Sequence, residues 1–576
     1  MSAIMDSSSN QNRKRSEASL RAAEHWRNKK RKPDISENDT GDSKDQAIIV
    51  ASSDDDAAED SSSSSVEEVK PDKSDKDCSG TRDGVKKSPI QLFYDASADL
   101  EPEKMDKERN YNAVTLSDMI GMPDLRSSFQ FNFAIDLEFF LGHVHRSKES
   151  KTITFVLGSD LLSPEVKDEV QKRYGVDASD IKVDLPKRFG THHTKMMVNF
   201  YENETCEIII MTCNLQPIDF SALTQMCWRS GRLSRASSSN PGKPRFKTDI
   251  IRYLKRYRKQ KINELADTLA EFDMSGIDVE LVASVPGNFN LARTADDSEE
   301  YGYGKLYQVL KRNDLLLGNE DTDKEYNVLA QATSISYPFA LKEKNTASVF
   351  SHIICPLIFS RNSDRLFDVL EPGTKSFRDH QIKHSYNPHI IYPCAKDIAL
   401  SGTGFYSGQA IHFKYDTSAI HRNQFEQNIK PYLYKWRASH KNAGREETPP
   451  HVKLYMCDNG DNWKTLRWVL MASHNLSKQA WGARRELRYR SADPSTYEIS
   501  SYELGVLIPS SSDHKLVPVF DSRHQRKVTD QGDVPVRIPF ILPPERYSSD
   551  DKPWSAYSNY GSLKDKFGHT WEGLTN

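Results

Sequence analysis

Closely spaced cysteine pairs are absent from this 576-residue sequence. Its seven cysteines form an odd set, and no two of them make a Cys-x-x-Cys motif. Disulfide frameworks and zinc knuckles are both built from such pairs. The cysteine usage therefore excludes a disulfide-rich secreted domain and argues against a four-cysteine zinc site. It is typical of an intracellular protein with reduced thiols.

Long apolar runs are also missing. No stretch approaches the roughly 18 to 20 apolar residues that a membrane-spanning helix needs. The N-terminal residues contain no apolar core of the kind that marks a secretory signal. We therefore expect a soluble intracellular protein without a membrane partner.

Apolar residues are scarce, at 37% of the chain, and the N-terminal part is the poorest in them. Residues 1–33 contain nine Lys and Arg against three acidic residues, whereas residues 34–76 contain fourteen acidic residues against four Lys. Such charge blocks cannot bury enough apolar surface to offset the entropy lost on ordering. Residues 1–85 are therefore predicted to form a disordered, charged tail.

Two short motifs stand out in this tail. Basic clusters at residues 13–15 and 29–32 have the form of a two-part nuclear import signal, with a generic basic tail as the alternative. The apolar triplet Ile48, Ile49 and Val50, followed by acidic residues, could add as an edge strand to a SUMO-type modifier protein. A chance triplet is the alternative. The basic clusters favour a nuclear location, and the triplet leaves a SUMO-type partner open.

A strong excess of one charge sign is missing as well, since the formal net charge of the chain is −3. A nucleic-acid partner would have to be bound by a local basic groove and not by a global field. Net charge therefore neither requires nor excludes a DNA substrate.

What the chain does contain, beyond the tail, is an alternation of strand and helix patterns. Thr152–Leu157 is predicted to be a strand and Pro164–Tyr174 a helix, and in the second half Phe425–Arg437 has helical spacing. Such alternation is typical of an α/β fold. We expect two similar α/β-sandwich halves related by a pseudo-twofold axis, residues 86–325 and 326–576, after the tail of residues 1–85.

The two halves share a histidine–lysine motif. His193 and Lys195 have the same spacing as His451 and Lys453. Because residues i and i+2 of a strand point to the same face, the two side chains of each motif project together. Each motif is followed, 21 to 24 residues after its histidine, by an Asn-Leu dipeptide, which begins at Asn214 and at Asn475.

Two such motifs could bring two imidazoles, two ammonium groups and two amides to one point. A lone His-x-Lys has no diagnostic value, but a matched pair with matched asparagines is a specific pattern. The set of groups suits a phosphoryl centre that is attacked from one side while a leaving group departs from the other. The sequence therefore predicts an active site at the interface between the halves.

These motifs resemble those of the phospholipase D superfamily, and within it the chain is similar to the tyrosyl-DNA phosphodiesterase family. The segments with this resemblance are residues 189–197, 213–215, 450–456, 473–482 and 501–507. The resemblance covers roughly residues 90–576. Most of the superfamily has an Asp five positions after the Lys. Phe200 occupies that position in the first copy, and Asp458 in the second copy opens an Asp-Asn-Gly sequence that favours a turn role over a catalytic one.

The resemblance implies a two-step phosphodiester cleavage without a metal or other cofactor. His193 would attack phosphorus and form a covalent phosphohistidine. His451 would protonate the leaving oxygen and then activate the hydrolytic water. The ammonium and amide groups would stabilise the charge on the equatorial oxygens, a role that falls to Lys195, Lys453, Asn214 and Asn475.

The resemblance also names groups around the two imidazoles, which must differ in protonation at one pH. Gln225 and Glu503 match positions that hydrogen-bond the imidazoles, and an amide behind one ring with a carboxylate behind the other would supply the difference. Asp219 matches another family position, with a structural cap as the alternative. His192 points away from His193 and is expected to pack or to form hydrogen bonds.

Further residues are candidates for substrate contacts. Ser334 and Ser477 match family positions that hydrogen-bond DNA phosphates, and Phe189 could stack on a base, with core packing as the alternative. Trp554 and Trp571 could line the side that accepts a peptide or could pack, and packing is favoured for Trp571.

The leading interpretation is a nuclear DNA-repair phosphodiesterase. It would hydrolyse the 3′-phosphotyrosyl bond between single- or double-stranded DNA ends and a topoisomerase I peptide, and would also act on related 3′-end adducts. A lipid phosphodiesterase of the same superfamily is the first alternative, although no membrane-facing surface is visible in the sequence. An inactive scaffold is the second, and the intact double motif argues against it. A monomer would suffice, because one chain contains both motifs.

Overall fold

The structure is a computed structural model that describes most of the chain beyond the predicted tail. The described residues are 87–95, 109–186, 190–237, 245–290, 298–317, 324–341, 344–359, 376–439, 443–484 and 496–574. The predicted tail of residues 1–85, with both basic clusters and the triplet Ile48, Ile49 and Val50, lies outside them. Phe189 also lies outside the described residues.

Seven strands form the first sheet. In chain order they are β1 Ile90–Leu92, β2 Leu125–Phe131, β3 Lys151–Leu157, β4 Val176–Lys182, β5 Met196–Tyr201, β6 Cys206–Met211 and β7 Met226–Arg229. Their spatial order is β1-β7-β6-β5-β2-β3-β4. β5 and β6 are buried along their whole length, which explains why they consist of nearly continuous apolar residues.

Nine strands form the second sheet, and three small sheets accompany it. The strands are β8 Glu280–Ser284, β9 Gly287–Asn290, β10 Tyr326–Gln331, β11 Ser334–Ile335, β12 Phe339–Leu341, β13 Lys344–Ala347, β14 Tyr386–Ile391, β15 His412–Phe413, β16 Leu433–Tyr434, β17 Leu454–Asp458, β18 Leu466–Ala472, β19 Ala483–Arg484, β20 Thr496–Ile499, β21 Glu503–Pro509, β22 Leu516–Val519 and β23 Val534–Arg537. The large sheet has the order β16-β14-β10-β17-β18-β21-β8, with β22 beside β18 and β23 beside β22. The small sheets pair β11 with β15, β12 with β13, and β20 with both β19 and β9.

The two large sheets repeat one arrangement. The order β1-β7-β6-β5-β2-β3-β4 of the first corresponds to β8-β21-β18-β17-β10-β14-β16 of the second. Strand directions match as well, because β2–β3 and β10–β14 are parallel whereas β2–β5 and β10–β17 are antiparallel. The prediction of two similar α/β halves is therefore confirmed.

The division between the halves differs from the expected boundary at residues 325 and 326. β8 begins at Glu280 and pairs antiparallel with β21, so a strand from the range 86–325 belongs to the second sheet. It occupies the position that β1 occupies in the first sheet. All five residues of β8 are buried, and a uniformly buried strand gives no indication in the sequence of which sheet it joins.

Helices cover the faces and ends of the sheets. Those with α-helical geometry are Ser117–Ile120, Leu137–Leu141, Pro164–Tyr174, Pro217–Ser221, Arg245–Lys255, Gln260–Leu269, Gly302–Arg312, Cys355–Ile358, Phe377–His384, Ala395–Ala399, Ala419–Asn428, Lys478–Trp481 and Ser522–Asp530. A π-helical turn covers Phe350–Ile354, and 3₁₀ turns cover Gly404–Ala410 and Lys430–Tyr432. No helix in the described part of the chain is long and apolar enough to span a membrane.

One core joins the two halves. Along β6, Ile208 and Ile210 belong to a large cluster of buried side chains that also contains Leu470 of β18 and Leu507 of β21. The alternate residue Ile209 belongs to a second cluster, on the other face of the first sheet. The period-two pattern of β6 thus places one face of the first sheet against the second half. This shared core fixes the relative position of the two histidine–lysine motifs.

Candidate active site

His193 lies just before β5 and is bound by the opposite half. Its backbone N–H donates to the Tyr502 carbonyl at 2.9 Å, and the Tyr502 N–H donates to the Thr191 carbonyl at 2.9 Å. The next residue, Glu503, is the first of β21, and its carboxylate Oε2 lies 2.8 Å from Nδ1 of His193. A residue of the second sheet therefore orients the first imidazole.

His451 lies just before β17 and is bound in the same way by the first half. Its backbone N–H donates to the Thr224 carbonyl at 2.9 Å. Gln225, which immediately precedes β7, places its Nε2 3.0 Å from Nδ1 of the His451 ring. Because β7 corresponds to β21, each imidazole is oriented by the equivalent position of the other half. The predicted partners Gln225 and Glu503 are thus both in contact with the imidazoles.

The orientation of the Gln225 amide decides the tautomer of His451. Gln225 Nε2 donates to Asp219 Oδ1 at 2.8 Å, and Gln225 Oε1 accepts from the Thr212 hydroxyl at 2.7 Å. A carboxylate only accepts, so the amide nitrogen must be the atom on that side. The same nitrogen lies 3.0 Å from Nδ1 of His451, which accepts from it in the neutral ring. Gln225 Oε1 at 3.4 Å and Asp219 Oδ1 at 3.5 Å can accept from Nδ1 when the ring is protonated. We assign the proton of neutral His451 to Nε2.

Glu503 imposes the opposite tautomer on His193. The carboxylate accepts from the Ser473 hydroxyl as well as facing Nδ1 of His193. Because the carboxylate offers only lone pairs, Nδ1 of His193 carries the proton and Nε2 is bare. The two rings therefore differ in the location of their proton even when both are neutral.

The two lysines are buried and similarly placed. Lys195 Nζ donates to the His193 carbonyl at 3.0 Å, and Lys453 Nζ donates to the His451 carbonyl at 2.7 Å. Both side chains are 0% exposed. Each ammonium therefore binds the backbone of the histidine two residues before it. Phe133 lies beside the first motif, with its ring centroid 5.5 Å from that of His193 and 5.6 Å from Lys195 Nζ.

Burial and mutual repulsion shift the pKa values of these cations. Burial, followed by the charges of Lys195 and Lys453, lowers the pKa of both His193 and His451 well below the ordinary value. Burial and the charge of Lys195 lower the pKa of Lys453 to about 7, while Glu503 and Asp219 oppose the shift. Burial also lowers the pKa of Lys195. The charges of one motif act on the groups of the other, so the two motifs form one site. Its two lysines favour the binding of an anion.

The two asparagines flank the site at the ends of β6 and β18. Asn475 Oδ1 accepts from the backbone N–H groups of Thr333 and Ser334 at 3.3 and 3.1 Å, which leaves its amide nitrogen to donate. The backbone N–H of Asn214 donates to Asp219 Oδ1 at 2.7 Å. The side-chain Oδ1 of Asn214 is buried and has no hydrogen-bond partner among the described residues. Asn214 is thus joined to the site through Asp219, and Asn475 through the segment that follows β10.

Asp219, His192 and Asp458 have roles that the hydrogen bonds define. Asp219 accepts from Asn214 and Gln225 and lies 3.5 Å from His451 Nδ1, so it supports the site and is not merely a helix cap. His192 bonds the Asn132 carbonyl and the Tyr257 hydroxyl, as expected for a structural histidine. Asp458 accepts from the backbone of Asn327, Gly460 and Trp463, which agrees with the predicted turn role.

Of the residues predicted to contact substrate, the two serines lie near Asn475 and the two tryptophans pack in the fold. Ser334 is adjacent to Asn475 through its backbone, and Ser477 caps the helix Lys478–Trp481 by accepting from the Ala480 N–H at 3.1 Å. Trp554 is fully buried and donates to the Gly408 carbonyl at 2.7 Å. Trp571 donates to the Ala556 carbonyl at 3.0 Å. Both tryptophans therefore pack.

Two hydroxyl groups that support the imidazole partners were not anticipated. Thr212 bonds the Gln225 amide and Ser473 bonds the Glu503 carboxylate. Each hydroxyl residue lies two positions before the asparagine of its motif, so Thr-x-Asn and Ser-x-Asn are a detectable part of the repeat. Phe133 was also missed, because a single aromatic residue after a strand has no distinctive spacing.

No group of three or more His, Cys, Asp or Glu side chains in the described ranges is arranged to bind a metal ion. The site contains the ammonium groups of Lys195 and Lys453 together with the carboxylates of Glu503 and Asp219. What the arrangement can do is bind a phosphoryl group between two imidazoles, one of which presents a bare nitrogen and the other an N–H.

Comparisons with known proteins agree with this geometry. A family model described as tyrosyl-DNA phosphodiesterase matches residues 96–548. The probable tyrosyl-DNA phosphodiesterase of Schizosaccharomyces pombe is 26% identical over 540 residues, which covers 81% of this chain and 93% of that protein. Tyrosyl-DNA phosphodiesterase 1 of Saccharomyces cerevisiae is 26% identical over 451 residues, which covers 75% of this chain and 78% of that protein.

A solved structure supports the fold. The crystal structure of the yeast tyrosyl-DNA phosphodiesterase has a TM-score of 0.61 and 23% sequence identity, and the match covers 81% of this chain and 99% of that chain. The range that the family model matches includes both histidine–lysine motifs and the residues that orient them. The chain therefore belongs to the tyrosyl-DNA phosphodiesterase family of hydrolases.

Proposed function

We propose that this protein is a DNA-repair enzyme that hydrolyses the 3′-phosphotyrosyl bond between a DNA end and a topoisomerase I peptide, and that it also acts on related 3′-end adducts. The observation that supports the proposal most directly is the crossed pairing of the imidazoles, His193 with Glu503 and His451 with Gln225. This pairing prepares one ring to attack phosphorus and the other to donate a proton. The reaction would proceed through a phosphohistidine and without a metal.

In the first step, the bare Nε2 of His193 attacks phosphorus. A P–N bond forms while the bond between phosphorus and the tyrosyl oxygen breaks, and the leaving oxygen takes the Nε2 proton of the protonated His451 ring, which becomes neutral. Glu503 stabilises the positive charge that develops on His193 because its carboxylate faces Nδ1. General acid assistance of this kind contributes about 10²- to 10⁴-fold to the rate.

In the second step, His451 acts as a base. Its Nε2, now bare, takes a proton from a water molecule that attacks the phosphohistidine. The P–N bond breaks, His193 is regenerated and the DNA keeps a 3′-phosphate. Because a phenolate leaves more easily than the histidine nitrogen, loss of His451 should slow this step more than the first.

Lys195, Lys453, Asn214 and Asn475 would bind the equatorial phosphoryl oxygens as negative charge develops on them. In the protein without substrate, the pKa values of both histidines are lowered. A bound phosphodiester anion between the ammonium groups raises the pKa of every nearby cation. Substrate binding would therefore keep both lysines charged and would favour the protonated form of His451 before the first step.

Location and partners are proposals that rest on the N-terminal sequence. The basic clusters at residues 13–15 and 29–32 support nuclear import, and Ile48, Ile49 and Val50 support binding of a SUMO-type modifier. A monomer is proposed because one chain supplies both histidine–lysine motifs. Activity on DNA 3′ ends would include an exonuclease-like removal of blocking groups.

The test is incubation of the purified protein with a 3′-phosphotyrosyl oligonucleotide in the presence of EDTA. We expect a 3′-phosphate product, no effect of the chelator, no turnover by His193→Ala, and a covalent protein–DNA adduct that accumulates with His451→Ala. His514→Ala is the control, because this exposed histidine lies outside the site. An absolute metal requirement, or cleavage of a phosphatidyl lipid in place of the oligonucleotide, would refute the proposal.

A further inference from the structure

Tyr337 is an exposed aromatic side chain close to the site. Its side chain is 47% exposed, which sets it apart from the buried tyrosines of the core. It follows β11 and is separated from Ser334, the first residue of that strand, by two residues. The mechanism proposed above assigns it no role.

The segment that leads to Tyr337 runs along the site. Ser334 donates its backbone N–H to Asn475 Oδ1 and accepts from the Leu476 N–H at 3.1 Å. The backbone N–H of Ser336 then donates to the Leu476 carbonyl at 3.2 Å. Tyr337 directly follows Ser336, so it lies one residue beyond this backbone pairing. The segment that carries Tyr337 therefore lies beside Leu476, the residue that follows Asn475.

The ring of Tyr337 contacts one neighbouring side chain and remains accessible to solvent. It makes a perpendicular contact with His421, with 4.6 Å between ring centroids and an interplanar angle of 81°. The His421 ring is itself hydrogen-bonded to the hydroxyls of Thr417 and Ser418 at 2.8 and 3.0 Å. This contact uses one side of the tyrosine and leaves nearly half of its surface exposed to solvent.

The surroundings of this ring include charge of the right sign for a nucleic-acid backbone. Lys414 follows β15, the strand that pairs in parallel with β11, and Arg422 lies one residue after His421. Asp416 is the acidic residue nearby, and its backbone carbonyl accepts from the Arg422 guanidinium at 2.8 Å. An exposed aromatic ring beside cations is the usual arrangement for binding single-stranded nucleic acid.

We propose that Tyr337 is a stacking platform for a nucleobase of the DNA strand near the scissile phosphate. The inference rests on the proposed function, because it requires a DNA strand in the site. Stacking on a tyrosine tolerates any base, since every base has a π face. The platform would therefore raise the affinity for DNA ends without selecting their sequence.

The test measures binding and turnover separately. Dissociation constants are determined by fluorescence anisotropy for an oligonucleotide with a 3′-phosphate, and kcat and KM for the 3′-phosphotyrosyl oligonucleotide. The variants are Tyr337→Ala, Tyr337→Phe and, as a control with a similarly exposed aromatic residue elsewhere, Phe567→Ala. We expect Tyr337→Ala to raise Kd and KM by roughly 5- to 150-fold with kcat little changed. Tyr337→Phe and Phe567→Ala should behave like the unsubstituted protein.

Abasic substrates locate the stacked base. Single abasic nucleotides are placed in turn at each of the last four positions of the strand. At one position, the unsubstituted protein and Tyr337→Ala should bind with equal affinity, because the ring then has no base to contact. An unchanged Kd for Tyr337→Ala, an equal loss with every abasic strand, or a loss that depends only on the leaving group would overturn the inference. Failure of the unsubstituted protein to cleave would count against the proposed function alone, since Kd is measured without turnover.

Discussion

At the scale of single residues, the difference between the two imidazoles is the central feature. A carboxylate faces Nδ1 of His193 and an amide nitrogen faces Nδ1 of His451. The pKa values of both rings are lowered by burial and by the two lysines, so charge alone does not distinguish them. The two neutral rings differ in which ring nitrogen carries the proton. This gives Glu503 and Gln225 different tasks although they occupy equivalent positions in the two sheets.

The substitution Glu503→Gln tests this assignment. It removes the charge that stabilises the developing imidazolium of His193 and should slow formation of the covalent adduct by about 10²- to 10⁴-fold. Substrate affinity should change much less, because Glu503 does not face the phosphate oxygens. The measurement is a single-turnover time course of adduct formation in the His451→Ala background. Glu498→Gln, at an exposed position of β20, provides the matched control. A rate equal to that of the control would show that the carboxylate has no part in attack.

The site residues could be predicted to an unusual degree, because the same spacing occurs twice. One copy of the motif, with His193, Lys195 and Asn214, is not diagnostic without the second copy. Thr212 and Ser473 were missed although they belong to the repeat, since a hydroxyl residue near an asparagine is common in turns and helix caps that have no catalytic role. Their role depends on the side chain that each one faces, and that is a property of the three-dimensional arrangement.

Lys453 makes substrate binding dependent on pH. Its pKa is lowered to about 7, so in the free protein the ammonium is present below pH 7 and is lost as the pH rises above it. Binding of an anion favours the charged form, so affinity should fall above pH 7, by up to about tenfold per pH unit for one linked proton. Anisotropy with a 3′-phosphate oligonucleotide between pH 6 and 9 measures this slope. Lys453→Arg should flatten it, because a guanidinium stays charged. An equally steep slope for both proteins would assign the effect to another group.

At the scale of elements, the loop before β17 is fixed by the segment after β1. Asp95 is bonded by the Arg109 guanidinium at 2.6 Å and by the Thr448 hydroxyl at 2.5 Å. The Thr448 carbonyl accepts from the Thr224 hydroxyl at 2.7 Å, and the Thr224 carbonyl accepts from the His451 N–H. Asp95 is therefore connected to His451 by a continuous series of hydrogen bonds.

Asp95→Asn should destabilise the protein and misplace His451. The carboxylate side chain is 2% exposed and the Arg109 side chain 11%, and removing the negative charge from this ion pair costs about 3–5 kcal/mol of unfolding free energy. Denaturant unfolding measures this loss. Glu138→Gln is the matched control, because its ion pair with Arg173 is more than half exposed and should contribute no more than about 1 kcal/mol. Among folded molecules, hydrolysis of the adduct should slow more than its formation. Two variants of equal stability would contradict this account.

Helix bounds could be predicted where capping residues in the sequence determine them. The helix Pro164–Tyr174 has the predicted bounds, because Ser163 caps it, Pro164 begins it, and Gly175 ends it with a φ of 67°. The predicted helix Phe425–Arg437 was wrong, since the helix ends at Asn428 and Pro431 lies in a following 3₁₀ turn. Proline disfavours helical geometry in the residue before it and cannot donate a backbone hydrogen bond. The apolar spacing there continues into β16 and reflects burial against the sheet.

At the scale of the whole molecule, the duplication makes each half depend on the other for the orientation of its histidine. Each sheet supplies one histidine–lysine motif and the residue that orients the histidine of the other. The sheets share one core, so the two motifs are fixed relative to each other by packing. The assignment of β8 to the second sheet shows that the halves are also interlocked along the chain. Nothing local in residues 280–284 could have revealed this, because strand pairing is decided between distant segments.

This interlocking predicts the outcome of mixing two inactive variants. His193→Ala and His451→Ala each remove one imidazole, and a monomeric site cannot borrow the missing ring from another molecule. An equimolar mixture should therefore show no more turnover of a 3′-phosphotyrosyl oligonucleotide than the two variants measured separately. The same mixture after joint unfolding and refolding should also stay inactive, since β8 and β21 of one chain pair within that chain. Recovery of turnover in either mixture would mean that halves exchange between chains, and the site would then have to be described as a property of a dimer.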